Sequence, residues 1–167
     1  MIGRRLGRYT VVAPLGEGGM ATVWRARDEL LMRPVALKVL REHLTSQPEA
    51  RRRFLHEAQS GSLLDHPAIV SVYDFGEQDG TAYIAFAIVE GETLTARAAR
   101  SLLPIAEAVR IVSGVAAALA HAHARGVIHR DVTGRNVLLA NDGRVFLVDF
   151  GLAAVLALVA ARQRGPM

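Results

Sequence analysis

The dipeptide Asp142-Gly143 separates two apolar runs, VLLA and RVFLV. Asp-Gly between such runs is a strong hairpin signal, because both residues tolerate the positive φ that tight hairpin turns demand. A two-residue turn here sets Asn136 opposite Asp149 and brings their side-chain oxygens to the open end of the hairpin. Asp131 lies five residues before Asn136, in the loop feeding the first strand, so a third oxygen can reach the same place. Oxygen clusters of this kind suit a hard cation such as Mg²⁺. The competing interpretation is that Asp131 and Asp149 are loop carboxylates without a joint task.

The residues before this hairpin fall into two patterns. Up to about residue 90 the chain reads as strands around one helix. YTVVAPLG (9–16) and ATVWRAR (21–27) flank a glycine-rich turn, and PVALKVL (34–40) is a third strand. Ser46-x-x-Glu49, with Pro48 between, resembles a capping box and predicts a helix to about Leu64. IVSVYDFGE (69–77) and AYIAFAIVE (82–90) complete a five-stranded antiparallel sheet. From residue 92 the pattern turns helical. Ile105, Val109, Val112, Ala116 and Leu119 recur at helical spacing, in a helix expected to end near Gly126. The class is therefore α+β, divided as 1–90, 91–151 and a tail, 152–167.

Composition excludes several functions. The chain has 167 residues, enough for one domain with a core of its own. It has no cysteine, so disulfides and thiolate metal sites are out, and a reducing, cytoplasmic setting is expected. A net charge of +4 invites a nucleic-acid reading. The arginines are scattered, however, and no aromatics interleave with the run 51–53 to stack on bases. No nucleic-acid partner is expected. The apolar stretch 152–161 is about half the length a bilayer needs, and the N-terminus has no apolar signal core, so no membrane role is expected.

Two stretches point to phosphate chemistry. In LGEGGMATVW (15–24), Gly16, Gly18 and Gly19 stand in a strand–turn–strand context, where missing Cβ atoms let backbone approach a phosphate. No Lys-Ser/Thr pair follows, and no helix follows directly, so neither a Walker loop nor a dinucleotide fingerprint is present. Lys38 interrupts the apolar strand VALKVL. It either faces outward on a half-exposed strand or lies buried against an anion, since an unpaired buried ammonium is costly. Glu57, on the helix that follows, is the candidate partner.

These pieces, in this order, resemble the eukaryotic-type Ser/Thr protein kinases of bacteria, from about Arg8 to Gly151. GEGGMATV is similar to the glycine-rich loop, VALK to the lysine strand, Glu57 to the helix-C glutamate, HRDVTGRN to the catalytic loop, and DFG to the metal-binding motif. The resemblance implies an ATP- and Mg²⁺-dependent transfer of the γ-phosphoryl group to a Ser/Thr hydroxyl of an unidentified protein. Gly16, Glu17, Gly18 and Gly19 would cover the phosphates, and Lys38 would hold them, oriented by Glu57. Asp131 would take the hydroxyl proton, while Asn136 and Asp149 would hold the metal. Val23, Ala36 and Leu138 would enclose adenine, with Phe86 at the gatekeeper place and backbone groups of Ala87 and Val89 bonding its edge.

Departures from the family pattern also carry expectations. Thr133 stands where a lysine usually meets the γ-phosphate, and Arg135 nearby offers partial compensation. Ala21 replaces the third loop glycine and is expected to stiffen the loop. Gly134 replaces proline, and Gly61 leaves a gap expected to loosen the helix carrying Glu57. After DFG no activation segment or further helices are seen before Met167. The alternative is therefore a kinase fragment or pseudokinase that binds ATP and acts by interaction. Self-association through the 105–119 helix and the tail is also expected, as apolar surface left uncovered seeks a partner.

Overall fold

The structure is a computed structural model and describes residues 1–150. The tail 152–167, expected to share in self-association, lies outside the described residues, as does Gly151. The chain divides into two compact units. Met1–Ser62 and Ser71–Ile88 form the first; Leu63–Val70 and the described residues from Val89 to Phe150 form the second.

The first unit is built on a six-stranded antiparallel sheet. Its strands are β1 (Arg5–Leu6), β2 (Tyr9–Glu17), β3 (Ala21–Asp28), β4 (Arg33–Leu40), β5 (Val72–Gln78) and β6 (Thr81–Phe86), in the order β1-β2-β3-β4-β6-β5. The extra strand relative to the expected five is β1, whose two residues are too few to show a period. Gly7, at φ 58°, turns the chain so that Leu6 pairs with Tyr9. β5 starts at Val72 rather than Ile69, because Ile69 bridges Leu147 in the second unit. β6 ends at Phe86, short of the expected residue 90.

β4 reads as one apolar run because both its faces are covered. Val35, Leu37 and Val39 join Leu6, Tyr9, Val11 and Ala85 in one core, while Leu40 joins Ala21, Phe54, Ala58 and Ile84 in another. The second core is closed by α2 (Pro48–Ser62), which turns Ala50, Phe54, Glu57, Ala58 and Gly61 inward at helical spacing. Ser46 does not cap this helix. It ends the preceding short helix, α1 (Glu42–Thr45), in a helical conformation (φ −79°, ψ −6°), whereas an N-cap needs extended backbone. Gly61 does not loosen α2 either. A Cβ there would stand 2.7 Å from Val72 Cγ2, so the missing side chain lets α2 lie close on β5.

The second unit contains α3 (Leu94–Arg100), α4 (Ile105–His123) and a three-stranded antiparallel sheet of β7 (Gly91–Thr93), β8 (Val137–Ala140) and β9 (Val145–Leu147). Gly91 is required, since a Cβ there would collide with Leu139 O. α4 ends close to its expected stop, where Gly126 takes φ 73°. By length and composition α4 could cross a membrane; its residues Ile111, Ala118 and Ala122 are buried in a core with Val145 and Leu147. Of the residues that mark its period, Ile105, Val109, Val112 and Ala116 lie on the exposed side, while Leu119 is partly buried against the core.

The hairpin register differs from expectation by one residue. The pairs are Val137↔Leu147, Leu138↔Phe146 and Leu139↔Val145, closed by a bond from Ala140 N to Arg144 O (2.9 Å). The loop therefore has three residues, Asn141, Asp142 and Gly143. Asp142 Oδ1 accepts from Arg144 N (3.0 Å), and Gly143 sits at φ 91°, the left-handed residue with which three-residue hairpin loops end. As a result Val148 N donates to Asn136 O (2.9 Å), and Asp149 falls one residue beyond Asn136 instead of opposite it.

Candidate active site

In the first unit, strand alternation puts Ala36, Lys38 and Leu40 on the α2 side of β4. Cross-strand pairs extend that face. Val23 lies opposite Lys38 on one side and Ile84 on the other, and Ala36 lies opposite Phe86. Val23, Ala36, Lys38 and Phe86 thus share one face of the sheet. Lys38 takes the inward alternative. It is 7% exposed, and its Nζ donates to Glu57 Oε1 at 2.6 Å. The strand supplies the lysine and the helix behind it the carboxylate, so the ammonium is held by two elements.

The glycine-rich turn closes the β2–β3 hairpin with a bond from Gly18 N to Ala21 O (2.8 Å). Its fold does not itself call for glycine. Gly16, Gly18 and Gly19 have no left-handed φ. An added Cβ would meet nothing within 4 Å at Gly16 or Gly19, and only Ala21 O at 3.5 Å at Gly18. What these residues leave is open space over the backbone. Ala21 belongs to the core beside the turn, 4% exposed and paired with Leu40. The N–H of Ala87 donates to Ser71 O (2.9 Å), so the carbonyl is the backbone group Ala87 has to offer a ligand. Val89 belongs to the second unit.

In the second unit, Asn136 closes a 3₁₀ turn, Gly134–Asn136, just before β8. Its Nδ2 donates to Asp131 O (2.8 Å) and to Asp131 Oδ2 (3.0 Å). A carbonyl can only accept, so this contact fixes the amide orientation and leaves Oδ1 as the acceptor turned elsewhere. Asp131 is held on one carboxylate oxygen and keeps the other. Asp149 and Arg130 both adopt left-handed backbone, φ 62° and 65°, a conformation that costs non-glycine residues energy and marks places where surroundings dictate geometry. Arg135 lies in the 3₁₀ turn and is exposed, as is Thr133 before it. Gly134 is packed rather than loose, since a Cβ there would stand 2.7 Å from Thr95 Oγ1. Leu138 sits half-buried on β8.

Sequence reasoning passed over His129. It is 1% exposed; its Nε2 donates to Val148 O (2.7 Å) and its Nδ1 accepts from Asp131 N (3.2 Å). One ring thereby ties the start of the loop to the end of the hairpin, and an edge-on contact with Phe150 (centroids 4.6 Å apart) holds its plane. Its place at the head of HRDVTGRN was the available signal, but a histidine's two hydrogen-bond partners are visible only in three dimensions.

Residues 9–163 match the protein kinase domain family. The chain belongs to that family. It is 44% identical over 159 residues to the serine/threonine-protein kinase PrkC of Bacillus subtilis, covering 94% of this chain and 24% of that protein. It is 38% identical over 165 residues to the serine/threonine-protein kinase PknA of Mycobacterium tuberculosis, covering 95% and 38%. Among solved structures, the PknI kinase domain of Mycobacterium tuberculosis superposes with a TM-score of 0.80 at 40% identity, covering 92% of this chain and 63% of that one. The chain thus spans about a quarter to two-fifths of the length of these curated relatives.

Proposed function

We propose that this chain binds ATP with Mg²⁺ and transfers the γ-phosphoryl group to a Ser or Thr hydroxyl of a protein. The observation that carries the reading is the bond pair from Asn136 to Asp131. With Oδ2 so bonded, the other Asp131 carboxylate oxygen would take a hydroxyl proton and Asn136 Oδ1 would meet a cation. Positioning of this kind supplies most of what phosphoryl transfer asks of a protein. The donor set fits magnesium, because Asn136 and Asp149 offer oxygen only. Bound there, the ion would neutralise phosphate charge. Lys38, oriented by Glu57, would hold the α and β phosphates. Gly16, Glu17, Gly18 and Gly19 would cover them, the glycines admitting them closely. Val23, Ala36 and Phe86, with the Ala87 carbonyl, all on the first unit, would receive the base.

A second reading, ATP binding with little transfer, draws on Thr133. No cation stands at that position, and Arg135 is the nearest substitute in the loop. One experiment separates the two. Mg²⁺-dependent ATP binding is measured by calorimetry on the wild type and Asp149→Ala, and phosphotransfer to a generic protein acceptor on the wild type and Asp131→Asn. Kinase activity predicts binding lost in the first variant and turnover lowered about 10²-fold or more in the second. Binding without turnover in the wild type supports the second reading, and no binding by a folded wild type refutes both.

A further inference from the structure

Arg41 has no role in the reading above, yet it holds the glycine-rich turn at several points. It follows β4 directly, in extended backbone (φ −62°, ψ 142°), where the chain leaves the sheet. Its N–H donates to Met20 O (3.0 Å). Its side-chain Nε donates to Gly18 O (2.9 Å), and Nη2 reaches Glu17 Oε2 (3.4 Å). Contacts from one residue therefore span the turn from Glu17 to Met20. The turn itself has little else to define it. Its one internal backbone bond runs from Gly18 N to Ala21 O, its glycines bring no side-chain packing, and Glu17 is 78% exposed.

We propose that Arg41 is a positioning residue that presets the glycine-rich turn for the phosphates of a nucleotide. A glycine-rich segment loses more conformational entropy on ordering than any other. A ligand that binds through such a segment must supply that ordering, unless the free protein has already done so. Arg41 does so from outside the turn. Its guanidinium is directed at Gly18 O and Glu17, so the ligand side of the glycines stays clear. The planar fork suits the task better than a lysine, because two differently directed N–H groups engage a carbonyl and a carboxylate at once. The effect is confined to phosphate-bearing ligands. A nucleoside, which does not use the turn, gains nothing from its order.

This inference rests on the ATP-binding reading, and the test keeps the two apart. Mg·ATP and adenosine affinities are measured by calorimetry for the full chain, together with amide exchange at residues 16–20 without ligand. Four proteins are compared: wild type, Arg41→Ala, Arg41→Lys and the exposed charge-matched control Arg52→Ala. Arg41→Ala is expected to bind Mg·ATP about tenfold more weakly, with adenosine affinity unchanged and faster exchange in the turn. Arg41→Lys, which can reach one of the two acceptors, falls between, and Arg52→Ala matches wild type. Unchanged Mg·ATP affinity in Arg41→Ala overturns the proposal. An equal loss for adenosine also overturns it, by showing a general loss of structure. A wild type that binds adenosine but not Mg·ATP, or neither, instead removes the nucleotide reading, and the role of Arg41 with it.

Discussion

Lys38 Nζ lies 2.6 Å from Glu57 Oε1, with both side chains inside the first unit at 9% and 2% exposure. Removing one member takes an opposite charge from a group that is almost out of reach of water. Either Lys38→Ala or Glu57→Ala is expected to lower the unfolding free energy by about 3–5 kcal/mol in urea titration, and the apolar double variant Lys38→Met/Glu57→Leu by much less. A double variant as unstable as the singles would show that the charges themselves hold α2 to the sheet.

Gly61 faces Val72 so closely that an added Cβ has no room. Gly61→Ala gains helix propensity but overpacks the contact, and a net loss of about 1–3 kcal/mol is expected. Val72→Ala in the same chain should return most of that loss. If Gly61→Ala is neutral alone, α2 is not packed as closely on β5 as described.

Asn136 spends its amide hydrogens on two Asp131 oxygens. Asn136→Asp places an acceptor against both, and a destabilisation of about 1–3 kcal/mol at neutral pH is expected. Thermal unfolding at pH 7 and at pH 4 checks the cause. Protonation at the lower pH returns one donor, so the gap between variant and wild type should narrow.

His121 accepts from Asp65 N (3.3 Å), stands beside the His66 ring, and meets Arg125. Desolvation first, then the Arg125 charge and His66, hold its pKa below the ordinary 6.5. The unfolded chain therefore binds the proton at higher pH than the folded one. Stability from this site is complete above pH 6.5 and is lost as pH falls through the lower, folded value. His121→Gln should flatten the decline in unfolding midpoint just below pH 6.5. An identical pH profile in the variant would assign the decline elsewhere.

Ile105, Val109 and Val112 are 84%, 59% and 66% exposed along one side of α4. Contiguous apolar surface favours association. Sedimentation of the chain is expected to show concentration-dependent self-association that Val112→Lys weakens. A single monomeric species at high concentration in both proteins would count against it.

The glycine-rich turn, the lysine strand, the Glu57 helix and the loop with Asp131 and Asn136 were legible in the chain because each is local. Alternation, helical spacing and turn residues act over a few neighbours, and they suffice to place these side chains on a strand, a helix or a loop. Even the choice of partner for Lys38 could be narrowed to Glu57, since a buried ammonium demands an anion.

Tertiary structure decided what depends on register and close packing. Asp142-Gly143 announces a hairpin, but a two- or three-residue loop is chosen by the Asp142–Arg144 bond and the left-handed Gly143, and that one-residue slip puts Val148, rather than Asp149, opposite Asn136. The spacing of Ile105, Val109 and Val112 marks α4 as a helix, yet the core selects the neighbouring stripe of Ile111, Ala118 and Ala122, because alanine and Gly114 let the helix approach Val145. His129 and Arg41 owe their places to partners up to 19 and 24 residues away, bonds that no local pattern encodes. A sequence records which side chains a short segment turns to each face. Only the folded chain determines which faces meet, since that choice depends on shape and hydrogen-bond partners brought together from distant segments.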